Sequence, residues 1–357
     1  MVFIIDSHLD LAWNALNWNR DLTLSIAEIR RSEAGMTDPR RGHNTVSLPE
    51  MHKGEVIVCL ATILSRSSGQ GVPLLDFRSR ELAWAMSQGQ LAFYRLMEST
   101  RRMRMIKDRR TLTAHVEEWI DAGRDRRAGA PLGFILAMEG ADPILSPRDV
   151  AQWWAAGLRV LEPVHYGVTA YAHGTGSAGG LTPQGRDLLM AMAECGMVLD
   201  VTHLADEAFS QALTAFRGRV LASHHNCRAL VPGQRQLTDE QIRALIGRRA
   251  VIGAACDAWM LHPDYVPSQT PRSLIGLDAV VDHIDHVCQL AGNARHAAIG
   301  SDLDGGFGTE QSPRDLDTIA DLQKIPALLS KRGYSASDVE GVMWRNWFEF
   351  FYDALPE

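Results

Sequence analysis

The chain has no apolar run near the roughly 18 residues of a membrane-spanning helix. Its first residues, Val2-Phe3-Ile4-Ile5, carry neither the basic stretch nor the small-residue cleavage site of a secretory leader. Cysteine is sparse: Cys59, Cys195, Cys227, Cys256 and Cys288 are the only five in 357 residues, scattered and without a CxxC pair. That pattern excludes a disulfide-stapled scaffold and fits a reducing compartment. These absences together lead to the expectation of a cytoplasmic protein with no membrane partner. Basic excess is missing too. Lys and Arg number 36 against 43 Asp and Glu, a formal charge of -7, which argues against a nucleic-acid partner. The basic clusters at 101–110 and 124–127 read as solvated faces. No internal repeat stands out, and no GxGxxG follows the first candidate strand, which lowers a dinucleotide-binding reading.

What is present is an ordinary globular composition, 46% hydrophobic and 22% charged. A single domain spanning 1–357, with inserted loops and a C-terminal helix, is expected, because α/β barrels take this length as one unit. Eight short apolar runs, at 2–6, 56–63, 133–138, 158–163, 197–202, 220–223, 250–255 and 297–302, are predicted strands. Most are rich in Val, Ile and Leu without strict alternation, the pattern of strands buried on both faces. Helical stretches lie between them, at 79–106, 148–156, 183–195, 206–216, 239–246 and 277–291. Thr238 with Gln241, and Ser337 with Glu340, read as capping boxes. Residues 23–50 and 165–182 are too long for simple connections and read as functional loops over a barrel mouth. The fold class predicted is α/β, a (β/α)8 TIM-like barrel of the metal-dependent hydrolase type. An open doubly wound sheet would show a similar alternation.

The chemistry is concentrated at strand ends. The first strand ends in Asp6-Ser7-His8-Leu9-Asp10, placing His8 and Asp10 at i and i+2, on one side of an extended chain. The third ends at Glu139, the fifth in Thr202-His203, the sixth in Ser223-His224-His225, and the eighth in Ser301-Asp302-Leu303-Asp304. In a barrel these C-terminal ends form one face. Imidazole and carboxylate are the ligands of hydrolytic zinc, and so many groups suit a pair of ions bridged by a carboxylate and a hydroxide. A lone His-x-Asp is weak evidence. Joint placement at five apolar strand ends is strong, since an unpartnered buried polar group is costly. Adjacent residues on a strand face opposite ways, so only one of His224 and His225 is expected to aim at the mouth. His283 and His286 read as an outer helix surface, and His43, His52, His115, His262 and His296 stand without company.

In order, Asp6-Ser7-His8-Leu9-Asp10-Leu11, Met138-Glu139-Gly140, His165, 180–185 (Gly-Leu-Thr-Pro-Gln-Gly), Leu199-Asp200-Val201-Thr202-His203, Ser223-His224 and 300–305 (Gly-Ser-Asp-Leu-Asp-Gly) resemble the renal (membrane) dipeptidase family of zinc peptidases. The resemblance covers nearly the whole chain. It implies two Zn2+ per chain, with His8 and Asp10 on one, His203 and His224 on the other, and Glu139 bridging. A bridging hydroxide would attack the scissile carbonyl. Asp302 matches the carboxylate that shuttles the proton to the leaving amine, His165 a histidine that contacts substrate and steadies the oxyanion, and Arg235 the arginine that receives the substrate carboxylate. Three segments depart from the family: Val58-Cys59-Leu60-Ala61, the stretch 254–259 after the seventh strand, and Arg345-Asn346-Trp347-Phe348.

The resemblance thus implies a metal-dependent hydrolase of free dipeptides, including L-Xaa-D-Xaa, as its small-molecule partners. A binuclear amidohydrolase acting on an N-acyl amino acid or other small amide keeps the same metals. A non-catalytic barrel would lack a ligand or Asp302, and this chain lacks neither. The Trp153-Trp154 pair and the aromatic segment 344–352 are candidate surfaces for a homodimer.

Overall fold

The computed structural model describes residues 1–122 and 129–357; the basic cluster at 124–127 falls outside them. Nine strands are present among the described residues. They are β1 (Ile4–Leu9), β2 (Val56–Leu64), β3 (Met103–Met105), β4 (Leu132–Glu139), β5 (Leu158–Glu162), β6 (Val198–Asp200), β7 (Val220–Leu221), β8 (Ile252–Ala254) and β9 (Ala297–Ile299). All pairings are parallel, in the order β1-β2-β4-β5-β6-β7, with β8-β9 continuing through a bridge between Ala222 and Ile252. Every residue of β1, β2 and β4 is buried, as the unbroken apolar runs require when helices cover a sheet that curls on itself.

Side chains hold β9 against β1. Ser301 N donates to Asp6 Oδ1 at 2.8 Å, and Ser7 Oγ donates to Ile299 O at 3.1 Å and also to Ser223 O. The result is the α/β, TIM-like curled parallel sheet. At this layer the interior admits no side chain beyond Ser7. A Cβ on Gly300 would sit 1.8 Å from Ser223 O, and one on Gly253 1.9 Å from the same oxygen. Glycine is therefore required at both positions by the close approach of three strands.

Local signals set most helix ends. Thr182 caps Pro183–Cys195, which begins with Pro and stops at Gly196 in the left-handed region (φ 76°). Thr238 and Gln241 form the expected capping box. At the C-terminus Asn346 Nδ2 donates to Ala294 O and Ala297 O at 2.7 and 2.8 Å, and Trp347 Nε1 to Ile299 O at 2.9 Å, fastening the last helix to β9.

Several expectations are corrected. The helix predicted over 79–106 ends at Ser99; Arg101 takes φ 58°, and Met103–Met105 forms β3 along the start of β4. The second capping box is Ser335 with Asp338, because the helix it opens starts at Ala336. The 23–50 segment contains the helices Ile26–Ser32 and Leu48–Lys53. Trp153 is buried, Trp154 is half-buried with the Arg159 guanidinium 3.8 Å from its ring, and Trp347, Phe350 and Phe351 are core residues. Packing on the chain's own core thus consumes most of the aromatic surface from which a homodimer was read. His283 is buried rather than on an outer surface, its Nδ1 accepting from Cys227 N at 3.0 Å. His115 is also fully buried, its Nε2 donating to Ile57 O at 2.8 Å.

Two measurements test this packing. Gly300→Ala forces a methyl into a carbonyl and should destabilise the fold by at least about 3 kcal/mol; a melting temperature equal to wild type would contradict the close approach. Burial holds His115 at about 4, so between pH 6.5 and 4 the unfolded chain binds a proton that the native chain refuses, and stability present above pH 6.5 is lost as pH falls. His115→Gln keeps a donor but does not titrate. Urea unfolding at pH 7.5 and 4.5 should show wild type losing about 2 kcal/mol more than this variant; equal losses would contradict a neutral His115.

Candidate metal centre

The barrel places chemistry at a constant height. His165, His203, His224, Asp257 and Asp302 are each the third residue beyond the last residue of β5, β6, β7, β8 and β9. His8 lies on β1, Glu139 ends β4, and Asp10 begins the turn into the helix Leu11–Asn17. Two of these residues adopt left-handed backbone, His203 at φ 64° and Asp302 at φ 57°. Non-glycine residues pay about 1–3 kcal/mol for such geometry, and it persists where surrounding contacts over-determine it. One device appears twice. Asp6 Oδ1 accepts from His8 N at 3.2 Å and from Ser301 N; Asp200 Oδ1 accepts from Thr202 N at 3.0 Å and Ser223 N at 3.1 Å. Each buried aspartate thereby clips the end of its own strand to that of its neighbour.

Glu139 Oε1 is the hub. The Nε2 atoms of His165, His203 and His224 lie 3.5 Å from it, and that of His8 3.6 Å. His8 Nε2 is also 3.7 Å from Asp10 Oδ1 and 3.8 Å from Asp302 Oδ1. Among the described residues, three overlapping groups have ligand atoms close enough to hold an ion: His8-Glu139-His224, Glu139-His165-His203 and His8-Asp10-Asp302. Every sequence-predicted ligand is therefore brought together, and His165 and Asp302 with them. His225 is outside these groups, its backbone N–H donating to Gly253 O at 2.7 Å.

The donor set fits a pair of divalent cations. Thr175 Oγ1 lies 2.9 Å from His203 Nδ1, and Ser223 Oγ 2.9 Å from His224 Nδ1. Each hydroxyl can accept an Nδ1–H, the arrangement that would leave the Nε2 lone pair inward for a cation. Those two Nε2 atoms are 3.2 Å apart, close enough to share one cation. His8 Nε2 is buried without a hydrogen-bond partner. Burial alone would push the His8 pKa down, yet the charges of Glu139, Asp10 and Asp302 raise it to about 10. Burial and the Glu139 charge push Asp10 up to about 7, and burial raises Asp302 well above the carboxylate range. This cage of acids calls for positive charge.

Above the hub opens a cavity lined by Asp10, Glu139, Asp302, His165 and His203 together with Trp13, Tyr166, Trp259 and Met260. Arg235 forms part of its wall: Nη2 donates to His224 O at 2.9 Å, while Nη1 is buried and unpartnered. Three lining or supporting residues escaped the sequence reading. Asp257 accepts from Gln311 Nε2 at 2.8 Å and is pushed by burial to about 7; the same strand-end offset as Asp302 could have revealed it. Arg40 reaches the wall from the 23–50 segment, which Asp304 ties down by accepting from Thr45 N at 2.7 Å and Val46 N at 3.0 Å. Arg66 meets His165, and no local pattern announces that contact.

The membrane dipeptidase family (peptidase family M19) matches residues 1–354. Dipeptidase tcpJ of Claviceps purpurea is 32% identical over 170 residues, which cover 47% of this chain and 37% of that protein. Two crystal structures share the fold along their length. A dipeptidase described as an M19 metallopeptidase gives a TM-score of 0.80 at 22% identity, covering 100% of this chain and 99% of that one. A metallopeptidase from Rhodobacter sphaeroides, liganded with a phosphinate mimic of the dipeptide L-Ala-D-Ala, gives 0.78 at 22% identity, covering 99% of each. With its buried His, Asp and Glu groups gathered in one place and a family match along nearly its whole length, the chain belongs to the membrane dipeptidase family M19 and is a metallodipeptidase.

Proposed function

We propose that the chain hydrolyses free dipeptides, with L-Xaa-D-Xaa substrates included, using two zinc ions held by His8, Asp10, Glu139, His203 and His224. The observation that carries this reading is the convergence of four Nε2 atoms on Glu139 Oε1 at 3.5 to 3.6 Å beside an arginine with a free buried N–H. His8 and Asp10 would hold one ion, and His203 and His224 the other, with Glu139 between them. When bound, the ions supply a water-derived nucleophile near neutral pH and polarise the scissile carbonyl. The chain's own residues do the rest. Arg235 offers its unpartnered Nη1 to the substrate's terminal carboxylate, and a guanidinium is suited to that planar anion. Asp302, with Oδ1 3.8 Å from His8 Nε2 on the cavity wall, would take the proton from water and return it to the leaving amine. His165 faces the carbonyl oxygen, where a positioned donor is worth about 3 to 4 kcal/mol in the transition state. The stereochemical extension rests on the phosphinate L-Ala-D-Ala mimic bound by the Rhodobacter sphaeroides relative. The five cysteines are free, which supports the cytoplasmic setting.

Elemental analysis of protein purified without chelator should give about two zinc ions per chain, and Glu139→Gln should lose at least one of them. Folded, active protein with no metal would end this reading. A panel of L-L and L-D dipeptides should contain good substrates for the wild type. Arg235→Ala should lower kcat/KM on them by about 100-fold, the scale of a charge-assisted bidentate contact, and should spare amides that have no carboxylate. Equal turnover of such amides and dipeptides by both proteins would point instead to a general amidohydrolase.

A further inference from the structure

Four histidines stand equally far from Glu139 Oε1, so distance alone does not separate metal ligands from a substrate-facing donor. The atom behind the ring sets His165 apart from His203 and His224. His203 and His224 have hydroxyls behind Nδ1, from Thr175 and Ser223. Thr175 Oγ1 also lies 3.4 Å from the His203 carbonyl, to which it donates, leaving an oxygen lone pair for Nδ1–H. Behind His165 stands Arg66, with Nη1 3.1 Å from His165 Nδ1. A guanidinium has five N–H donors, no acceptor, and keeps its charge. Nδ1 of His165 is consequently the acceptor, and the ring proton resides on Nε2.

We propose that Arg66 is a positioning residue that fixes His165 as the Nε2–H tautomer, so that this ring presents a donor rather than a lone pair to the cavity. This rests on the dipeptidase reading above for its consequence in catalysis, though not for the tautomer itself. The arrangement is built rather than incidental. Arg66 is 3% exposed, lies outside the cavity lining, and has its fork fixed on other sides. Nη2 donates to Gln70 Oε1 at 3.3 Å, Nε lies 3.3 Å from Asp76 Oδ1, and the guanidinium is 5.6 Å from the Tyr166 ring centre. Asp76 in turn accepts from Ser68 N at 3.0 Å and Val72 N at 3.3 Å. The backbone of Arg66 pairs with the same loop, its N–H donating to Leu75 O and its carbonyl accepting from Phe77 N. That loop supplies Val72, Pro73 and Leu75 to the cavity wall. Arg66 thus joins the loop that borders the substrate to the group that faces its carbonyl. An Nε2–H can hydrogen-bond the oxygen on which charge develops, and it cannot ligate a cation through the same atom.

The test uses metal-loaded full-length protein labelled with 15N-histidine. Two-bond proton–nitrogen correlations report which ring nitrogen carries hydrogen, with the His165 signal identified by its loss in His165→Gln. The expected result is an Nε2–H pattern for His165, a shift toward Nδ1–H in Arg66→Met, and two ions retained in both variants. In Arg66→Met, kcat on a cleaved dipeptide should fall about 100-fold, the cost of a lost oxyanion donor or a wrong tautomer, with KM changed less than about threefold. Arg66→Lys, which keeps a donor, should recover at least about tenfold of that loss. An Nδ1–H pattern in the wild type overturns the inference even if Arg66→Met does not fold. So does wild-type kcat in metal-replete Arg66→Met, or loss of an ion from His165→Gln. Absence of any dipeptide turnover by the wild type would sink the substrate reading alone, since the tautomer is read without turnover.

Discussion

Four imidazole nitrogens meet one carboxylate oxygen, Glu139 Oε1, inside a barrel that excludes water from all but one side of them. In that low-dielectric setting the Coulomb energy of Glu139, Asp10 and Asp302 is large, and it is balanced only if positive charge is shared among them. The arrangement of the rest follows from this requirement. The rings must arrive from different strands, and each must present a chosen nitrogen. The backbone must hold that geometry before any ion or substrate is there to reward it. Left-handed backbone at His203 and Asp302 is the local cost of the geometry.

Strand architecture supplies the common height. The sheet is tight enough that Ser7, Ser223, Gly253 and Gly300 exclude any further atom from the layer beneath the hub. Asp6 and Asp200 repeat one hydrogen-bond pattern on two seams, β9 with β1 and β6 with β7. They stabilise the strand ends at which His8, Asp302, His203 and His224 emerge. Buried carboxylates of this kind are costly in isolation and are offset by the backbone N–H groups they accept from.

Above this layer the chain divides labour by what stands behind each ring. Hydroxyls stand behind His203 and His224, where they can take the Nδ1 proton; a guanidinium stands behind His165, where it cannot. The proposed substrate clamp, Arg235, is tethered through the carbonyl of His224, so carboxylate recognition and the proposed metal ligands share one segment. Asp257 adds an acid to the cavity wall.

Much of this was legible in one dimension. Eight apolar runs located eight of the nine strands, because a strand buried on both faces leaves an unbroken hydrophobic mark. His8, Asp10, Glu139, His203, His224 and Asp302 could be picked out because polar groups directly after such runs violate the local pattern. What periodicity could not carry was anything settled by distant partners. The end of the helix at Ser99 and the appearance of β3 depend on the free edge of β4. Burial of His115, His283 and Trp153 depends on which helices cover them. Asp257 joins the site only because β8 ends level with β9, and Arg66 only because the segment after β2 folds against the segment after β5. Residue type and local spacing determined which atoms could do the chemistry; the folding of the sheet decided what stands behind the His165 and His203 rings, because Arg66 and Thr175 lie 99 and 28 residues away in sequence.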